Sequence, residues 1–91
     1  MPSGVVRSGT VTVRLYATAR EVARQAVVEL PVPANGEAAR DLLRRLVERW
    51  PRLGPVLPTC RFVRNDRYLR GLSTRLRAGD EFAVHPPYGG G

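Results

Sequence analysis

Apolar and polar residues alternate along TVTVRLYA, residues 10 to 17, with Val11, Val13 and Leu15 on one side and Thr12, Arg14 and Tyr16 on the other. That period of two predicts a half-buried strand. AVVEL, residues 26 to 30, repeats it with Ala26, Val28 and Leu30 on one face, and TAREVAR, residues 18 to 24, is read as a short connection. Two short strands this close favour an antiparallel hairpin.

After the PVPAN break the period changes. From Gly36 to Trp50 the apolar positions are 39, 42, 43, 46, 47 and 50, one stripe of an amphipathic helix. Asn35 offers an N-cap and Pro51 a stop. Glu37 and Asp41 near the start and arginines toward the end complement the helix dipole.

PRLGPVLP, residues 51 to 58, reads as a proline-rich loop. RFVRND, 61 to 66, reads as a strand ending in an Asn-Asp turn, with a brief extended piece at Tyr68 and Leu69. Residues 71 to 79 hold a turn and one apolar anchor, Leu76. A Gly79-Asp80 turn leads into a last strand, EFAVH, 81 to 85, with Phe82 and Val84 inward, and Pro86 and Pro87 end its ladder. The order is strand, strand, helix, strand, strand. One apolar helix stripe needs one apolar sheet face, so the predicted class is α+β in two layers.

Ninety-one residues allow a single core. The expected organisation is a flexible leader over residues 1–9, one domain over 10–85 and a flexible functional tail over 86–91. No apolar run reaches 18 residues, and the first eleven lack the h-region of a signal peptide. The expectation is a cytoplasmic protein without a membrane partner. The lone Cys60 cannot form an internal disulfide and reads as a small packed residue. With one Cys and one His, His85, no metal-site spacing is present.

The net charge is +7, and all fifteen basic residues are arginine. A basic chain suits nucleic acid or an acidic protein. The arginines are spread along the chain without an RNA-binding aromatic motif or a helix-turn-helix pattern, so nucleic acid is not the expected partner. No nucleophile, base and carboxylate constellation stands out, and the glycines lie at the chain end rather than between a strand and a helix. A self-contained active site is therefore not expected.

The segments VTVRLYATARE (11 to 21), ARDLLRRLVERWP (39 to 51), VRNDRYL (63 to 69) and above all LRAGDEFAVHPPYGGG (76 to 91) carry a resemblance. They resemble the MoaD/ThiS family of ubiquitin-like sulfur carriers, and within it the small subunits of molybdopterin synthase. Arg64, His85 and Gly89 depart from the residues usual at their positions.

The resemblance implies a β-grasp fold, a mixed sheet of four to five strands packed on one main helix. It implies that Gly91 is the reactive residue, adenylated and then converted to a thiocarboxylate that donates sulfur. Gly90, Gly89, Tyr88, Pro87 and Pro86 would enter a partner as an arm, which spans roughly 20 Å when extended. His85, Tyr16, Arg14 and Val63 are candidate partner contacts.

The implied partners are the molybdopterin synthase large subunit, a ubiquitin-activating-enzyme-like adenylyltransferase using MgATP, and a sulfur donor (a sulfurtransferase or cysteine desulfurase). No cofactor is expected to be bound, and the chain would be a co-substrate rather than an enzyme by itself. Carriers for thiazole, cysteine or tRNA thiolation, and ubiquitin-like modifiers, share the implied fold.

Overall fold

The computed structural model describes residues 9–87. The first strand, β1 (Gly9–Leu15), buries Val11, Val13 and Leu15, as the alternation predicts. It pairs antiparallel with β2 (Val27–Val32), placing Val11 against Leu30 and Val13 against Val28. This second strand starts one residue later than predicted and runs two further, through Pro31. It lies at the sheet edge, where a missing amide donor is tolerated.

The link between them is not an irregular connection but a helix, α1 (Ala17–Ala23). Its Ala19 and Ala23, one turn apart, are both buried, so small side chains let two turns lie close to the core. Arg24 ends it in the left-handed region at φ 59, its N–H donating to the Arg20 carbonyl at 2.7 Å.

The main helix, α2 (Ala39–Arg49), buries Ala39, Leu42, Leu43 and Leu46, with Val47 and Trp50 packed partly against the same core. It is shorter than the predicted 36–50, and Asn35 does not cap it. Glu37 and Ala38 instead form a two-residue strand, β3 (Glu37–Ala38), paired with a strand, β6 (Arg75–Leu76), from much later in the chain. The loop before β6 takes over the cap: Ala39 N–H donates to Thr74 O at 2.8 Å and Arg40 N–H to Leu72 O at 2.9 Å. Gly36 makes the approach possible, since at φ +83 a Cβ would stand 2.7 Å from the Leu76 carbonyl oxygen.

Pro51 ends α2 and opens a 3-10 turn, Pro51–Leu53, and a second covers Leu57–Thr59. The proline-rich segment is therefore an ordered connection that buries Leu53 and Leu57. A hairpin follows, β4 (Arg61–Arg64) and β5 (Arg67–Tyr68), shorter than the predicted strand and ending one residue before Leu69. Its turn residues Asn65 and Asp66 sit at φ 47 and 72, the two positive angles of a type I′ turn.

The final strand, β7 (Glu81–His85), runs parallel to β1 and antiparallel to β4, giving a mixed sheet in the order β2-β1-β7-β4-β5. Phe82 and Val84 are fully buried beside Val13 and Leu15. Burial of side chains this size contributes roughly 1.5–3 kcal/mol each. A five-stranded mixed sheet with one main helix on one face is the ubiquitin-like β-grasp arrangement expected above.

The turn before β7 is held by a buried carboxylate. Asp80 accepts from Arg77 N–H at 2.8 Å, Arg64 Nε at 2.9 Å and Asn65 Nδ2 at 2.9 Å. Asn65 also accepts from Glu81 N–H at 2.8 Å, so the β4–β5 turn is tied to the start of β7. Arg64 thus has a structural use on the core side of the sheet, where its register partner is Phe82.

Partial desolvation pushes the Asp80 carboxyl pKa up, but the Arg77 amide, the Asn65 amide and the Arg64 guanidinium outweigh it and hold the value below the ordinary range. The unfolded chain therefore takes up this proton first as pH falls. The associated stability is complete above the unfolded value of about 3.9 and is lost as pH drops through the folded one. Asp80→Ala is expected to cost about 2–3 kcal/mol in urea denaturation at neutral pH. It should also flatten the acid side of the melting-temperature profile, and an unchanged acid slope would contradict this role.

Candidate functional site

The helices cover one face of the sheet and leave the other open. Alternation sends Arg14 of β1, Ala83 of β7 and Val63 of β4 to that open face. The registers set Val27, Arg14, Ala83, Val63 and Tyr68 in one row across all five strands. The large apolar side chains that are exposed among the described residues, Tyr16 (41%), Val27 (41%) and Tyr68 (65%), are all on this side. Val27 and Tyr68 lie on the two edge strands, with Tyr16 just past the end of β1 between them.

The lower half of the face is satisfied internally. Arg14 Nε lies 3.2 Å from Glu81 Oε1, and the hydroxyls of Thr10 and Thr12 donate to the Glu29 carboxylate at 2.9 and 3.0 Å. The Glu81 hydrogen bond and charge raise the Arg14 pKa, keeping it cationic throughout.

The upper end differs. Tyr16, just past β1, stacks on His85 at the end of β7, with ring centroids 4.5 Å apart and planes 8° from parallel. His85 faces Arg61 across the β4–β7 ladder, and the Arg61 guanidinium sits 5.8 Å from the Tyr68 ring. Beyond His85 come half-buried Pro86 and exposed Pro87, which with Thr59, Arg61 and His85 line a cleft of about 350 Å³.

The predicted contacts Arg14, Tyr16, Val63 and His85 thus share one face, and the stacked Tyr16–His85 pair stands where the chain leaves the sheet. Tyr88, Gly89, Gly90 and Gly91 lie outside the described residues. Arg61, Tyr68 and Ala83 belong to the same surface and were not singled out from the sequence. Inward Phe62 and Phe82 already required Arg61, Val63 and Ala83 to point outward. Their meeting in one row depended on strand order, which alternation does not give.

Cys60 lies under this edge, half-buried, with its Sγ 3.3 Å from the Val56 carbonyl oxygen. Among the described residues no group of three or more His, Cys, Asp or Glu side chains is placed to hold a metal ion. The described residues thus leave one sheet face uncovered, and the chain leaves the sheet at that face's upper edge after His85.

Residues 13–91 match the ThiS family. The molybdopterin synthase sulfur carrier subunit of Chlamydomonas reinhardtii is 36% identical over 84 residues, covering 89% of this chain and 98% of its own. The crystal structure of the small archaeal modifier SAMP1 from Haloferax volcanii superposes with a TM-score of 0.78 at 30% identity, covering 91% of this chain and 100% of its own. A protein–protein complex of subunits 1 and 2 of the molybdopterin-converting factor from Helicobacter pylori matches with a TM-score of 0.60 at 26% identity, covering 90% and 99%. The chain belongs to the ThiS family of ubiquitin-like sulfur carriers, as the resemblance implied.

Burial raises the Cys60 thiol pKa above its ordinary value, only partly offset by the Thr59 hydrogen bond. A raised thiol pKa leaves little thiolate at neutral pH. Iodoacetamide should therefore label Cys60 more slowly in the native protein than in the urea-unfolded chain at the same pH, and the native rate should keep rising with pH after the unfolded rate has levelled off. Equal rates in the two states would contradict a packed, inert thiol.

Proposed function

We propose that this chain is the sulfur carrier of molybdopterin synthesis, acting as the small subunit of molybdopterin synthase and as a co-substrate rather than a catalyst. The observation that carries the reading is the continuity of β7 with its arm. The strand at the sheet centre ends at His85 between Tyr16 and Arg61, and the sequence proceeds at once into Pro-Pro-Tyr-Gly-Gly-Gly. The family match runs to Gly91, and relatives matched over 90–98% of their own length are named molybdopterin synthase sulfur carrier subunits.

The chemistry follows from the carboxylate. Gly91 as a free acid is a poor electrophile, so an adenylyltransferase uses MgATP: the carboxylate attacks the α-phosphorus, pyrophosphate leaves, and the acyl-adenylate carries AMP as its leaving group. The outer sulfur of a donor's persulfide then displaces AMP to give an acyl disulfide. A second thiol cleaves its S–S bond and is oxidised to a disulfide with the donor, and the thiocarboxylate released is a nucleophile for the pterin precursor held by the large subunit. Gly89 to Gly91 carry no Cβ and suit a narrow channel. Pro86 and Pro87 reduce the ordering entropy lost on docking. The open face around Tyr16, Ala83 and Val63 supplies area, with Tyr16 and Tyr68 as aromatic anchors of the kind that dominate interfaces.

The likeness to a small archaeal modifier favours a second reading, attachment of Gly91 to target amines. The chain has no lysine, so such attachment could not build chains through its own side chains.

Intact mass spectrometry of protein from its native host should show oxygen-to-sulfur exchange at Gly91. Deleting Gly91 should abolish molybdopterin formation in a mixture with adenylyltransferase, sulfur donor and large subunit while leaving the thermal midpoint unchanged. Undiminished formation by the truncated chain would refute the proposal. Higher-mass adducts in the host without any thiocarboxylate would favour the modifier reading.

A further inference from the structure

Arg61 stands at a position the docking face alone does not explain. It opens β4, is exposed, and faces His85 across the ladder beside the root of the arm. Clefts flank it on both sides. One, about 350 Å³, is lined with Thr59, His85, Pro86 and Pro87. The other, about 390 Å³, is lined with Tyr68, Arg70, Gly71 and Leu72. The Leu69 N–H bond to Phe62 O at 2.9 Å continues the β4–β5 pairing and brings Arg70 to the same edge.

The ion pairs among the described residues use Arg14, Arg44, Arg45 and Arg64. Arg61 and Arg70 have no carboxylate partner among them. A protein that takes the arm must close over its root and remove water from Arg61. An unpaired guanidinium resists that transfer, whereas a carboxylate meeting its planar fork with two hydrogen bonds offsets the cost.

We propose that Arg61, with Arg70 beside it, selects an acidic rim on the protein that receives the arm. A carboxylate of that protein enters a cleft next to Arg61 and pairs with its guanidinium. The occupant is a protein rather than a nucleic acid because the arginines are continuous with apolar Tyr16, Ala83 and Val63, which a phosphate backbone would leave uncovered. The inference rests on the carrier reading only in requiring a protein that takes the arm.

The test measures binding by titration calorimetry, across a salt series, to two purified proteins from the same source: the molybdopterin synthase large subunit and the adenylyltransferase. Arg61→Glu should weaken binding at least tenfold and flatten its salt dependence, and Arg70→Glu should do so less. Arg40→Glu, on the exposed side of the opposite layer, should bind as wild type. Matching thermal midpoints would establish that the variants fold.

Wild-type affinity in Arg61→Glu, or binding indifferent to salt, would overturn the proposal, as would binding to neither protein. Binding to the adenylyltransferase alone would overturn the molybdopterin reading and still decide the role of Arg61. A single-stranded oligonucleotide that binds wild type and loses affinity in Arg61→Glu, while both proteins bind undiminished, would assign the edge to nucleic acid and overturn it too.

Discussion

The parallel pairing of β1 with β7 is the constraint on which the rest of the molecule depends. It joins Thr12 to Leu15 with Glu81 to Val84, almost the full length of the described chain apart in sequence. Parallel neighbours need a crossover, and here everything between the two strands is that crossover. The core forms where it does because Val13, Leu15, Phe82 and Val84 meet at the sheet centre under Leu42 and Leu46 of α2. The same pairing puts the end of β7 beside the end of β1. The chain therefore leaves the sheet next to Tyr16, at the edge of the uncovered face.

Charge is used in two ways at the two ends of this arrangement. At the start of β7 the Asp80 carboxylate is nearly enclosed, and its bonds close the 77–80 turn and tie it to Arg64 and Asn65 at the end of β4. At the end of β7 the guanidiniums are exposed and lack carboxylates among the described residues. At one end the polar groups are committed to the fold, and at the other they face solvent. Arg64 and Arg61, three residues apart on one strand, illustrate the division, because strand alternation sends them to opposite faces.

Much of this was legible in the chain. The alternation at 11 to 15 and 82 to 84 and the stripe at 39 to 46 gave the sheet, the helix and the face each buries. The terminal segment carried the family resemblance. The failures share a cause: features decided by residues distant in sequence. Asn35 looked like a cap, but the carbonyls of Leu72 and Thr74 do the work. Residues 18 to 24 offer only Ala19, Val22 and Ala23 at helical spacing, one turn of mostly small side chains that a periodicity argument does not separate from a connection. Asp80 looked like a turn residue, and nothing local showed that Arg64 and Asn65 would converge on it.

The edges of the sheet carry one further consequence. On one side β2 presents Pro31, which has no amide hydrogen to offer, and on the other β5 is only two residues long. Neither edge is a good template for a strand from another chain. Recognition by strand addition, a common route for small sheet proteins, is thereby discouraged. Contact with this sheet therefore favours side chains over a shared main-chain ladder.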